Sequence, residues 1–381
     1  MRHLCPFSNL IMMTNLSIYV HIPFCESKCS YCAFSSFVPH KKQVEDYFKT
    51  LWSEIAKRAK AQCGKIVQTI FFGGGTPSFV ESKFITKTLE IIKNNFSVSQ
   101  DAEISIECNP NSATFDKLKD YKGAGFNRIS FGVQSLDDNL LKFLGRRHDK
   151  LTALRAINDA KEVGFSNINA DLLLGLVGQN KQNIIDEINS LADAGITHIS
   201  TYMLMVEKHT PLCSLKDKKK YLMSDDDTVD LYNEVVEHLS ELGLYRYEIS
   251  NFSKSGFECR HNQVYWTLGE YLGFGLAAHS YIDGKRIANS SFFEKYLSQK
   301  NANRTHVVSQ DEAKEEFVML ALRTREGIDL KKYQEQFGVD LLEEKKEEII
   351  ELKDFIAIND GHLVIKPKEF GKTNLIILKL I

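Results

Sequence analysis

Three cysteines are grouped near the start of the chain, Cys25-Glu26-Ser27-Lys28-Cys29-Ser30-Tyr31-Cys32, spaced four and then three residues apart. They follow a short apolar run, Ser17 to Ile22, that stops at Pro23. So compact a loop can bring three thiolates together without long-range closure. A cubane iron–sulfur cluster has four irons and ordinarily takes four thiolates. Three thiolates leave one iron for an exchangeable ligand, and the spacing favours this reading. The residues alone leave two alternatives open: a zinc site with His21 as fourth ligand, or three unpaired structural cysteines. Zinc sites favour paired C-x-x-C arms with a distant second pair, and no second pair is present.

Further along, Gly73-Gly74-Gly75-Thr76-Pro77 follows an apolar run. Glycines there would let backbone approach a ligand closely, although a tight turn would use them equally well. Glu107, Gln134, Arg146 and Asp171 recur at intervals after other apolar runs. Two carboxylates and an amide could hold the ribose hydroxyls and amine of a nucleoside ligand, and Arg146 could neutralise its carboxylate. Each residue taken singly would serve as a surface or capping residue; the case is collective.

These residues need a scaffold. Ile66 to Phe72, Glu103 to Glu107, Arg128 to Val133, Asn167 to Leu173 and His198 to Leu204 read as strands. Between them, Gln43–Lys60, Phe79–Asn94, Thr114–Gly123, Leu151–Val163 and Asn183–Ala194 read as helices, several closed by glycine. Together with the run before Cys25, this gives six strand–helix alternations on short connections, which predict a parallel sheet. The fold class is α/β, an incomplete (β/α)6 barrel. In barrels the site lies at the C-terminal ends of the strands, where the unusual residues fall. From about Ala302 the pattern turns helical and rich in lysine and glutamate, which predicts a small, mostly helical C-terminal domain. The expected divisions are a leader over 1–16 that lies upstream of the true start, the barrel over 17–245, an extension over 246–300 and the C-terminal domain over 301–381.

The chain has 381 residues and a net charge of −2, which gives no argument for a nucleic-acid partner. Five of the eight cysteines are scattered singly, unlike a disulfide framework, so a reducing cytoplasm is the expected compartment. No run approaches the ~20 apolar residues of a membrane span.

The cysteine spacing resembles the signature of the radical S-adenosylmethionine superfamily. The longer run Tyr19-Val-His-Ile-Pro-Phe-Cys25, with Gly73-Gly-Gly-Thr-Pro77, Phe131-Gly-Val-Gln134-Ser and Asp171-Leu-Leu-Leu-Gly175, resembles its oxygen-independent coproporphyrinogen oxidase-like group. The resemblance implies a 4Fe-4S cluster on Cys25, Cys29 and Cys32, with S-adenosylmethionine on the unique iron. It implies a pocket lined by Tyr19, Tyr31, Gly74, Gly75, Thr76, Glu107, Gln134, Arg146 and Asp171, with a backbone contact from Met205. Dehydrogenases of the group carry a fourth cysteine two residues after the third, and a longer N-terminal arm. Here Ala33 and Phe34 follow Cys32, and at most sixteen residues precede the barrel. Both departures resemble the HemW-type heme chaperones, as does Cys259-Arg260-His261-Asn262-Gln263-Val264-Tyr265-Trp266 with its His-Asn-x-x-Tyr-Trp element.

That resemblance implies heme as cofactor or cargo and an acceptor hemoprotein in membrane or cytoplasm; a homodimer, or a transfer-competent state, gated by the cluster is a further expectation. His261 is the expected heme ligand, with Cys259 and His279 as further candidates and His198 structural. The alternative function is radical oxidative decarboxylation of coproporphyrinogen propionates, in which reductive cleavage of S-adenosylmethionine yields a 5′-deoxyadenosyl radical.

Overall fold

The structure is a computed structural model that describes residues 14–216, 220–300 and 303–381. The expected leader and the middle of the 216–220 charge run lie largely outside the described residues. Strand β1 (Thr14–Ile22) is followed by α1 (Lys41–Ala59), β2 (Lys65–Gly74), α2 (Ser82–Asn95), β3 (Ser97–Cys108), α3 (Phe115–Ala124), β4 (Arg128–Gln134), α4 (Asp138–Phe143), α5 (Lys150–Glu162), β5 (Asn167–Leu174), α6 (Lys181–Ala194) and β6 (His198–Met203). Strands β1 to β6 pair in sequence order, all parallel. This is the expected incomplete barrel. Ile18, Val20 and Ile22 are fully buried beside fully buried Phe48, Leu51 and Ile55 of α1. Near-continuous apolar strands suit a parallel sheet covered by helices.

The second section holds α7 (Asp225–Glu241), β7 (Tyr245–Arg246), β8 (Asn251–Ser253), α8 (Arg260–Trp266), β9 (Tyr271–Phe274), β10 (His279–Ile282), β11 (Lys285–Asn289), α9 (Phe293–Ser298) and β12 (Asn303–Val307). It extends both edges of the barrel sheet. Strand β9 joins β1 in parallel and continues through antiparallel β10, β11 and β12, while on the other edge β8 pairs antiparallel with β6 and β7 with β8. The sheet therefore runs to Val307, past the boundary expected at residue 300.

The C-terminal section has α10 (Gln310–Ala321), β13 (Ile328–Asp329), α11 (Leu330–Phe337), α12 (Leu341–Glu344), α13 (Lys346–Glu351), β14 (Ile356–Asn359), β15 (His362–Ile365) and α14 (Thr373–Leu380). Its core, around Phe317, Tyr333, Phe337 and Leu363, is separate from that of the barrel. The two sections meet at a seam, where Arg325 N–H donates to Tyr247 O at 3.0 Å. Some expected bounds move. Strand β3 begins at Ser97 rather than Glu103, and α3 is capped by Gly125 in the left-handed region (φ 103°) rather than by Gly123. No helix among the described residues is long and apolar enough to cross a membrane.

Candidate functional site

Strand β1 delivers the chain to Cys25, and the cysteine loop is pinned at both ends. Cys25 N–H donates to Phe37 O at 3.0 Å, and Phe37 N–H to Pro23 O at 2.8 Å. Mid-loop, Ser30 N–H donates to Leu144 O at 3.1 Å, and Ser30 O accepts from Leu212 N–H at 2.9 Å. The three cysteines are thus held by the segments that follow β1, α4 and β6.

The glycine run lies alongside. Gly75 N–H donates to Ile22 O and Thr76 N–H to Phe24 O, each at 2.8 Å. Gly74 sits at φ 107°, where a Cβ would also overlap the His21 ring, so both backbone conformation and space require glycine. Its N–H donates to Glu107 Oε2 at 3.0 Å. Thr76 Oγ1 donates to Cys25 Sγ at 3.5 Å. Arg146 Nη1 donates to Cys29 Sγ at 3.5 Å, while Nη2 reaches Asn109 Oδ1 at 2.7 Å and Gly132 O at 2.5 Å. Asn109 Nδ2 in turn donates to Thr76 Oγ1 at 3.3 Å. Asn109, just past the end of β3, is therefore the bridge between the two side chains that donate to sulfur. Its position between a buried cysteine and Pro110 was the available signal.

The carboxylates are set deeper. Burial, reinforced by the neighbouring Asp171, pushes the Glu107 carboxyl up to about 7. Burial also raises Asp171, against hydrogen bonds that favour its ionised form; among these, Asn169 Nδ2 donates to Oδ1 at 2.7 Å. Burial raises the Tyr31 hydroxyl and the Cys32 thiol. Gln134, at the end of β4, has φ 71°, in the left-handed region, where the pairing with β5 shifts register. A non-glycine residue held there stores strain, which is typical of ligand sites.

A cavity of about 680 Å³, counting its open mouth, gathers Cys25, Cys29, Tyr31, Cys32, Gly74, Gly75, Thr76, Glu107, Gln134, Arg146 and Asp171 in one lining. Tyr19 is not part of it. Its hydroxyl pairs with His21 Nδ1 at 3.0 Å and its ring stacks near Phe71 and His261. Met205, expected to add a backbone contact, lies beyond the end of β6 and is 70% exposed.

The donor set fits an iron–sulfur cluster. Among the described residues, no three His, Cys, Asp or Glu side chains converge where a single metal ion could be held. In a cubane each thiolate binds a different iron, and Cys25, Cys29 and Cys32 line one cavity. His21 is not available as a fourth zinc ligand: Nε2 bonds Ser35 O at 2.8 Å and Nδ1 the Tyr19 hydroxyl. Two of the sulfurs already receive donors, the kind of contact that tunes cluster potentials. Arg146 Nε is buried without a partner, an unmet donor at the wall of the cavity.

His261 does not fit its expected role as an iron ligand. It is 1% exposed, with Nδ1 bonded to Thr69 Oγ1 at 2.7 Å and Nε2 to the Tyr265 hydroxyl at 2.9 Å. Burial pushes it down to about 3. Thr69 lies five residues before Gly74 on β2, which puts the His261 contact roughly 16 Å below the cysteine loop along the strand. Cys259 is fully buried, its thiol pushed up to about 12 by burial and directed at Glu103 Oε1 at 3.6 Å. Both ring nitrogens of His261 are thus taken, and the Cys259 thiol is closed off by burial. His279 is exposed on β10. His198 is buried between Asn169 Oδ1 at 2.6 Å and the Tyr247 hydroxyl at 2.7 Å, the structural role expected of it. Sequence reasoning missed Glu103, which accepts from the Arg260 and His261 N–H groups at 2.9 and 3.1 Å and so fixes the start of α8 inside the barrel.

The radical SAM superfamily model matches residues 19–191 and the HemN C-terminal domain model residues 308–370. The chain is 36% identical over 332 residues to the heme chaperone HemW of Bacillus subtilis, covering 85% of this chain and 88% of that one. The chain belongs to the HemW family. A second relative, the heme chaperone HemW of Lactococcus lactis, is 30% identical over 364 residues, covering 93% of this chain and 95% of its own. The coproporphyrinogen III oxidase HemN of Escherichia coli, described as a radical SAM enzyme, superposes with a TM-score of 0.82 at 24% identity, covering 96% of this chain and 90% of that one. This last likeness speaks for the fold alone.

Proposed function

We propose that this protein is a heme chaperone of the cytoplasm, which binds heme and hands it to acceptor hemoproteins, membrane-associated ones among them. Cys25, Cys29 and Cys32 would hold a 4Fe-4S cluster. Gly74, Gly75, Thr76, Glu107, Gln134, Arg146 and Asp171 would bind S-adenosylmethionine in the cavity above the strand ends, with Tyr31 as a wall. When bound, the cluster supplies a site for one-electron chemistry on the sulfonium. The chain's own contribution is to position and shield. Arg146 and Thr76 donate to cluster thiolates, Glu107 and Asp171 offer buried carboxylates to the ligand amine and ribose, and the glycine run lets backbone approach.

Identity across most of the chain with proteins named heme chaperone carries this reading. The residues after Cys32 support it, since Ala33 and Phe34 leave no fourth cysteine beside the cluster loop. The decisive experiment adds hemin to the anaerobically reconstituted protein, then separately adds reductant, S-adenosylmethionine and coproporphyrinogen III. A stoichiometric Soret band, transfer of heme to an apo-hemoprotein and no protoporphyrinogen are expected. Formation of protoporphyrinogen would refute the reading in favour of a dehydrogenase.

A further inference from the structure

A second cleft opens far from the cysteine loop, at the seam between α8 and the C-terminal section. It measures about 950 Å³ counting the part open to solvent. Trp266 from α8 and Phe317 from α10 line it, with Arg325, Lys332 and His362 among its polar groups.

Three observations describe its chemistry. First, His362 Nδ1 lies 2.9 Å from Glu326 O. A carbonyl only accepts, so Nδ1 carries the proton and Nε2 the lone pair. This second-contact arrangement orients an imidazole and raises its basicity toward a metal. Second, Trp266 Nε1 is buried with no partner, an unmet donor in the wall. Third, the charges are divided. Lys332 is engaged by Asp329 at 3.2 Å, and Glu258 and Glu326 also line the cleft. Arg325 is the lining cation whose side chain has no partner among the described residues.

An apolar wall of one indole and one phenyl ring, an imidazole with Nε2 open, and an unpaired guanidinium together match a flat iron porphyrin bearing carboxylates. We propose that this seam cleft is the heme seat of the chain, with His362 Nε2 as an axial ligand and Arg325 as the partner of a propionate. The proposal rests on the heme-chaperone reading above and locates the cargo away from the cluster. It also gives the His-Asn-x-x-Tyr-Trp element a different division of labour. His261 fastens α8 into the barrel, and Trp266 at the other end of the helix faces the heme.

The test is hemin titration of the full-length protein, with Soret position, ferric electron paramagnetic resonance and affinity as readouts. His362→Ala should move the Soret band, remove the imidazole signature and weaken binding by at least about tenfold, with recovery of the spectrum on adding free imidazole. Arg325→Gln should weaken binding while leaving the Soret position in place, a result that a merely structural role would not give. Circular dichroism of both variants checks the fold, and Arg325→Gln, at an exposed side chain, keeps the test available if His362→Ala does not fold. Unchanged spectrum and affinity in both variants, with wild type binding hemin, would overturn this site while leaving the chaperone reading intact. No Soret band in wild type would overturn both.

Discussion

Arg146 donates to Cys29 Sγ at 3.5 Å through one terminal nitrogen and to Asn109 Oδ1 at 2.7 Å through the other. A buried guanidinium is thereby committed to a thiolate that the cluster would use. Positive charge and a hydrogen bond at a cluster sulfur favour the reduced state. Arg146→Met should therefore make the cluster midpoint potential more negative, by about 60 mV if the loss is tenfold in the reduction equilibrium. Redox titration followed by electron paramagnetic resonance checks this; an unchanged potential would show that the contact does not reach the cluster.

Cys29→Ala should abolish the iron–sulfur absorbance near ~410 nm after reconstitution. Its circular dichroism should match wild type, because the loop is pinned by backbone contacts at Cys25, Ser30 and Phe37 rather than by the thiol. Absorbance that survives at wild-type iron content would mean that another residue holds the third iron.

Glu107 predicts a pH signature in the cluster-free protein. Its carboxyl is raised from 4.5 to about 7, mainly by burial and then by Asp171. Between these values the folded state binds more protons than the unfolded one, so stability falls as pH rises from 4.5 to 7. Glu107→Gln should leave stability near pH 4.5 almost unchanged and flatten the decline, gaining roughly 3 kcal/mol by pH 8. Urea denaturation at several pH values measures this, and parallel pH profiles for the two proteins would refute it.

Gly74→Ala combines a left-handed φ of 107° with overlap between the new Cβ and the His21 ring. A loss of about 3 kcal/mol in urea denaturation is expected. It should be accompanied by weaker cluster assembly, because Gly74 also donates to Glu107. A change below about 1 kcal/mol would indicate that the turn relaxes freely.

Glu103→Ala removes the acceptor for two N–H groups at the start of α8. A loss of about 1–2 kcal/mol follows for such a cap, and the buried Cys259 thiol should become accessible to a thiol reagent in the native state. Labelling kinetics under native conditions would report it; a thiol that stays protected would show that α8 keeps its seat without Glu103.

Much of the molecule was written locally. Three cysteines at four- and three-residue spacing, a glycine run after one strand and polar residues on three others are properties of short stretches, and the alternating periodicities place them at one end of a parallel barrel. Ala33 and Phe34, where a fourth cysteine would stand, are likewise read directly from the chain. The partners of those residues depend on the fold. Asn109 gains its role because the ends of β2 and β3 lie side by side, and Tyr19 leaves the cavity because its side chain turns toward His21. A histidine in sequence can be a ligand or a buried hydrogen-bonding group. Thr69 and Tyr265 make His261 the second, since both ring nitrogens are taken. Glu326 O takes Nδ1 of His362 and leaves its Nε2 open. Residue type sets what a side chain is able to do, but which of its lone pairs stays open depends on neighbours brought in from distant parts of the chain, and only the tertiary structure supplies those.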